Sequence, residues 1–210
     1  MKKSVKFRLV TVGLLLLLIW PAALSAEVTS RDLMVKIGET QVNLLNPSGL
    51  IRVDGSTERT DRALAEFGTE GVRTLSFYAE PITWQVYKKS LEEEGPSAIL
   101  DFYAFINTPE DFVDEDLSPA DFAELKGLIL ADQGLSSCEE GERHVTCRMN
   151  APYVLADGRP GVIKGIVTFL LVNGKILNLN SFSSDKNQFA EQFEPGALEW
   201  RDVYLEITKP

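Results

Sequence analysis

Cys138 and Cys147 are the only cysteines in this 210-residue chain, and they bracket Glu139-Glu140-Gly141-Glu142-Arg143-His144-Val145-Thr146. Such a pair can form a redox couple or a structural disulfide. Redox pairs sit two residues apart at a helix start, where the thiol pKa is depressed. Here glycine and acids fill the interval, and negative neighbours raise a thiol pKa rather than lower it. In an oxidising compartment the spacing predicts a structural disulfide between Cys138 and Cys147.

His144 is the only histidine, so a nucleophile-histidine-acid triad needs this one loop residue, and a multi-histidine metal site is unavailable. In a charged loop beside Arg143 it is expected to be exposed. The serine motifs are fragmentary. Gly95-Pro96-Ser97-Ala98-Ile99 carries half of a nucleophile elbow, and its proline is unsuited to one. Ser183-Ser184-Asp185-Lys186 matches S-x-x-K without the K-T-G and S-D-N partners, so a capped helix start accounts for it more simply. Glycine-rich phosphate loops are absent.

Carboxylates gather in two places, Asp111, Asp114, Glu115 and Asp116, and Glu139, Glu140 and Glu142. A calcium loop alternates oxygen donors around a glycine and closes on a glutamate. Asp-Phe-Val-Asp-Glu-Asp-Leu has no glycine, which leaves solvated acidic loops. These seven residues are the candidate partner surface, since exposed loops on a sheet scaffold carry function more often than the core. No catalytic residue, metal ligand or cofactor is expected. Trp84, Tyr87 and Trp200 are expected in the core.

The elements that position these residues begin after a leader. Lys2, Lys3, Lys6 and Arg8 precede an apolar run from Leu9 to Trp20, Pro21 breaks it, and Leu24-Ser25-Ala26 offers a cleavage site. This is the pattern of a secretory signal over 1–26, and the run is shorter than the roughly twenty residues a membrane span needs. Removing it leaves a single domain over 27–210 with 17 Lys and Arg against 31 Asp and Glu, a formal charge of −14. Nucleic acid and anionic lipid then become poor partners, because both are held by basic patches. Stable membrane insertion is not expected after cleavage. The expected location is the periplasm, or else outside the cell.

Leu33 to Ile37 and Thr40 to Leu44 alternate around Gly38-Glu39 and read as a hairpin, after which Asn46-Pro47-Ser48-Gly49 turns the chain. Ser56 is placed to cap a helix over 57–67 with Ala63, Leu64 and Phe67 inward, and Gly68 and Gly71 end it before a strand over 72–79. Pro81 opens a helix bearing Trp84, Tyr87 and Leu91, and Gly95-Pro96 stops it before a strand over 98–106. Ser118-Pro119-Ala120-Asp121 starts a third helix with Phe122, Leu125, Leu128 and Ile129 on one stripe.

Val162 to Val172 and Lys175 to Phe182 flank Asn173-Gly174, the favoured pair for a two-residue hairpin turn. That turn sets Val172 opposite Lys175, Leu170 opposite Leu177 and Thr168 opposite Leu179. Both faces are then apolar, one with Ile166, Leu170, Leu177 and Leu179, the other with Val167, Phe169, Leu171, Ile176 and Phe182. An inner hairpin follows. Phe189 and Phe193 before Pro195-Gly196, then Trp200, Val203, Tyr204 and Ile207, predict two closing helices. The expected class is α+β, a twisted antiparallel sheet with helices on both faces.

The succession of opening hairpin, Asn46-Pro47-Ser48-Gly49-Leu50, Leu117-Ser118-Pro119-Ala120-Asp121-Phe122, Asn-Gly hairpin and Trp200-bearing helix resembles a group of exported bacterial proteins of unassigned function. The resemblance spans most of residues 30–208. It implies the PsbP-like α/β/α sandwich, which a photosystem oxygen-evolving subunit and a Ran-binding protein share. It carries over no binding residue, because those proteins act on unrelated partners.

The functional expectation is a non-catalytic extracytoplasmic module that binds or helps assemble another envelope protein, a basic one being the more natural partner of so acidic a chain. A toxin-neutralising immunity protein is one specific form of it. The alternative is a hydrolase drawing carboxylates from separate segments.

Overall fold

Glycine and asparagine turns decide where this chain reverses. In the computed structural model the described residues are 33–55, 57–65, 70–93, 100–131, 135–154, 160–185 and 190–208. Strands β1 (Leu33–Ile37) and β2 (Thr40–Leu44) pair around Gly38, whose φ of 56° is left-handed. A Cβ at Gly38 would stand 2.4 Å from the Val113 carbonyl oxygen. Only glycine therefore fits both the turn and its neighbour.

The chain continues through β3 (Ile51–Arg52), α1 (Glu58–Ala65), β4 (Val72–Ala79), α2 (Pro81–Glu92) and β5 (Phe102–Pro109). A 3₁₀ turn at Glu110–Phe112 leads to α3 (Pro119–Leu130), β6 (Ser136–Glu140) and β7 (His144–Val154). Strands β8 (Pro160–Val172) and β9 (Lys175–Ser184) precede α4 (Ala190–Ile207). The seven strands β3 to β9 form one antiparallel sheet in the order β3-β4-β5-β9-β8-β7-β6, while β1 and β2 pair only with each other.

Asn173 and Gly174 both have positive φ, as a mirror-image hairpin turn requires. They give the expected register of Val172 to Lys175, Leu170 to Leu177 and Thr168 to Leu179. The hairpin is internal, flanked by β7 and β5. Alternate residues of the strands supply separate parts of the core. Tyr78, Ala104, Ile106, Leu170, Leu177 and Leu179 pack with Trp200 and Tyr204 of α4 and with Ile37, Val42 and Leu44 of the first hairpin. Phe77, Ala79, Tyr103 and Phe105 instead pack with Leu64 of α1 and with Trp84 and Tyr87 of α2. Trp84, Tyr87 and Trp200 are thus core residues, as expected.

Four local expectations need correcting. The cap of α1 is Thr57, whose hydroxyl accepts the Thr60 N–H at 3.1 Å; Ser56, Phe67 and Gly68 lie outside the described residues. Among the described residues strand β5 starts at Phe102, where its ladder with β9 begins opposite Ser183, and positions 98 and 99 lie outside the described residues. Ser118 does cap α3, with Asp121 returning a carboxylate to the Ser118 N–H at 2.8 Å. However, Phe122 is buried while Leu128 is 72 % exposed, so the α3 stripe is narrower than its spacing implied.

One helix closes the chain instead of two, with Pro195 inside it. Proline and glycine in a helix interior cost about 3 and about 1 kcal/mol. Phe193, Ala197, Trp200 and Tyr204 form one buried stripe through them, and burial of its large side chains, at roughly 2 kcal/mol each, offsets that cost. The Leu45 peptide fastens the helix. The Trp200 indole N–H donates to the Leu45 carbonyl at 2.9 Å, and the Leu45 N–H donates to the Tyr204 hydroxyl at 2.7 Å. The expected leader over 1–26, Phe189 and the Gly95-Pro96 stop lie outside the described residues.

Candidate interaction surface

The two acidic segments, far apart in sequence, lie at the same end of the sheet, the end of the Asn173-Gly174 turn. The first is fastened by Lys175, whose side chain is only 2 % exposed. Its ammonium donates to the Val113 carbonyl at 3.1 Å and the Glu115 carbonyl at 2.7 Å, and pairs with an Asp116 carboxylate oxygen at 2.8 Å. The Leu117 N–H donates to the Gly174 carbonyl at 2.8 Å, and the Thr40 hydroxyl donates to Asp116 at 3.3 Å. Lys175 is the residue that sequence reasoning missed. The hairpin register placed it opposite Val172, but nothing marked it as buried.

The second segment is fastened by covalent and polar links. Cys138 and Cys147 form the expected disulfide between β6 and β7, with sulfurs 2.02 Å apart. The Gly141 N–H donates to the His144 carbonyl at 2.9 Å, and the Leu171 N–H donates to the Arg143 carbonyl at 2.9 Å. Lys126 of α3 donates to the Gly141 carbonyl at 2.9 Å. The Arg143 guanidinium caps the end of α4, donating to the carbonyls of Leu205 and Thr208. Helix α3 therefore runs from the first acidic segment to the second.

These anchors divide the seven candidate acids. Asp116 pairs with Lys175, and Glu139 pairs with the mostly buried Arg201 at 3.2 Å. Asp111, Asp114, Glu115, Glu140 and Glu142 are exposed and form no ion pair among the described residues. They are the part of the predicted surface still available to a partner.

His144 is half-buried rather than exposed, which corrects the expectation. Its ring fills the space beside Gly141, where a Cβ would lie 2.1 Å from its Cε1, and its Nε2 is buried without a partner. Burial first, and then the Arg201 charge, push its pKa below 6.5; Lys126 adds to this, and Glu139 and Asp202 oppose it. The folded chain thus binds the imidazole proton more weakly than the unfolded chain does. The His144 contribution is complete above about pH 7 and is lost as pH falls through about 6.5 toward the lower folded value. Wild type should lose more stability than His144→Gln between about pH 7.5 and about pH 5.5 in urea titrations. Parallel losses would refute this. As the only histidine, its proton can also be followed directly by NMR.

A hydrolase of the alternative kind needs one carboxyl group kept protonated to act as acid. The carboxyl groups displaced from their ordinary range are displaced downward. Burial would raise Asp54, but hydrogen bonds from Arg52, the Phe77 N–H and Ser76 hold it low. The Lys175 hydrogen bond lowers Asp116, and the Ser118 hydroxyl lowers Asp121. Among the described residues no group of three His, Cys, Asp or Glu side chains is placed to hold a metal ion. Nor is any described helix long and apolar enough to cross a membrane.

The chain matches no family model and no curated protein. Its functional reading therefore rests on its own residues.

Proposed function

We propose that this chain is an exported, non-catalytic binding or assembly module whose acidic sheet end docks a basic envelope protein. The observation that carries the reading is the placement of two separately fastened segments at one end of the sheet, which leaves Asp111, Asp114, Glu115, Glu140 and Glu142 exposed there and without ion pairs among the described residues. Fixed backbone under an array of like charges lowers the ordering cost of recognition, and the charge speeds encounter with a basic partner. An immunity protein that neutralises a basic toxin is the specific form in which that partner is a toxin. The PsbP-like α/β/α sandwich belongs to the same proposal. It is supported by the way alternate residues of β4 feed separate core clusters, one with α2 and one with α4. A leader over 1–26 would deliver the chain to the oxidising compartment that its disulfide needs.

The test is capture from an envelope extract without cross-linking, using wild type and an Asp111→Lys/Asp114→Lys/Glu140→Lys variant of unchanged melting temperature. Wild type should retain a partner at about 50 mM salt and release most of it at about 500 mM, where screening is severe. The variant should fail to retain it at either. Equal capture by the variant, or capture indifferent to salt, would overturn the proposal.

A further inference from the structure

A cleft of about 430 Å³ lies at the opposite end of β5 from the acidic surface, where the loop after β2, the start of α2 and the first half of α4 meet. Its wall contains Glu80, Phe102, Glu191, Pro195, Gly196 and Glu199. Several features of this wall run against what stability alone selects. Pro195 has no N–H, so the Glu191 carbonyl lacks its helical donor. Gly196 follows within the helix, yet a Cβ there would meet no atom within 4 Å and its φ is not left-handed. Neither packing nor backbone geometry demands that glycine. Its absent side chain leaves the cleft open.

Glu80 is the second, independent observation. It is only 8 % exposed. One carboxylate oxygen accepts the Thr83 N–H at 2.7 Å, and the other accepts no hydrogen bond from the described residues. That second oxygen is not shut away from solvent, and on the cleft wall it stands open to a donor. Glu191 and Glu199 are exposed on the same wall without ion pairs among the described residues. The wall residues bring no cationic side chain to neutralise them, while Phe102 and Pro195 give apolar surface beside them. Carboxylates without a cation on the wall, beside an apolar patch and the polar side chains of Ser48 and Gln192, fit a donor cation on a short apolar stem.

We propose that this cleft binds an organic cation, an alkylammonium or guanidinium group, with Glu80 and Glu199 at its charged head and Phe102 and Pro195 against its stem. The cation comes either from a free amine or from a lysine or arginine side chain of a polypeptide. The site shares no residue with the acidic sheet end, so either can fail without the other.

Amide NMR spectra of the full chain, titrated at constant ionic strength, test this with three probes: n-butylammonium, arginine amide and the tripeptide Gly-Arg-Gly. The Trp200 indole N–H is a natural reporter, because Trp200 and Glu199 line the adjoining hollow. Saturable shifts of that signal and of residues 195–199 are expected. Glu80→Gln, which keeps an acceptor for the Thr83 N–H, should weaken binding about tenfold, the factor lost with one charge-assisted hydrogen bond. Gly196→Leu should fill the cleft and abolish binding while leaving the melting temperature the same or higher. Saturation by the free cations supports a small amine, and saturation by the tripeptide alone supports a polypeptide side chain. Non-saturating shifts with all three probes, or equal binding by Gly196→Leu, would overturn the proposal.

Discussion

Replacing Lys175 with alanine is expected to destabilise the fold by about 3 kcal/mol, lowering the melting temperature by roughly 6–12 °C. The argument starts from what the side chain replaces. Its ammonium is the donor for the Val113 and Glu115 carbonyls, and once it is gone water is left to serve them. Each orphaned carbonyl costs about 1–3 kcal/mol where water cannot reach it, and less where it can. Collapse cannot close the gap easily, because the facing position is Gly38, whose missing Cβ would lie 3.3 Å from the ammonium. Relief of burying a charge offsets part of the loss. The pair with Asp116 adds little, since that carboxylate is 73 % exposed. Lys175→Met, which keeps the stem and drops the head, should lose roughly half as much. Thermal unfolding measures both variants, and hydrogen exchange at 113–117 locates the loosening. An alanine variant within about 1 kcal/mol of wild type would show that the lysine does not anchor the loop.

Lys175 also marks the boundary of what its own sequence discloses. Asn173-Gly174 is a local signal, and local chemistry is enough to set the turn and the cross-strand register. The capping box at Ser118 and the helix opened by Pro81 were legible for the same reason. The burial of Lys175 was not, because its acceptors come from residues about sixty positions earlier and are backbone atoms that carry no residue identity. The joined closing helix failed in the opposite way. Pro195-Gly196 is a correct local stop signal, overridden by the stripe of Phe193, Ala197, Trp200 and Tyr204.

The candidate surface divides along the same line. Its residues could be named from composition, but not their placement at one end of the sheet. That depends on β9 pairing with β5 and β8 together, so that the Gly174 turn receives the chain leaving β5 while Leu171 receives the β6–β7 turn. Nor could the sequence show that Asp116 and Glu139 are spent on internal pairs. The cleft beside Pro195 was invisible for a plainer reason. Two of its glutamates come from α4 and the third is the residue that caps α2, and neither spacing nor type links them.

Removing the disulfide, as Cys138→Ser/Cys147→Ser, should cost about 2.5–3 kcal/mol, the loop-closure entropy returned to an unfolded chain with a ten-residue ring. For a chain of this size that is a fall of roughly 5–12 °C in melting temperature. The loss should not be spread evenly. Strand β6 is an edge strand with an interrupted register, pairing through Ser136, Glu139 and Glu140 around Ser137 at positive φ. With so short a ladder, the covalent link carries much of its attachment to β7. Amide protection at 136–140 should therefore fall before that of β8 or β9, and the bared edge of β7 should promote association at higher concentration. Urea midpoints of the oxidised chain and the double variant, read beside hydrogen exchange, provide the measurement. Coincident midpoints would show that the bond adds no stability. Loosening β6 also releases Glu140 and Glu142 from their fixed place at the sheet end that carries Asp111, Asp114 and Glu115. The double variant should thus lose salt-sensitive capture of a basic partner while keeping every acidic side chain. A merely electrostatic role for this surface would leave that capture unchanged, so the variant separates charge from its placement.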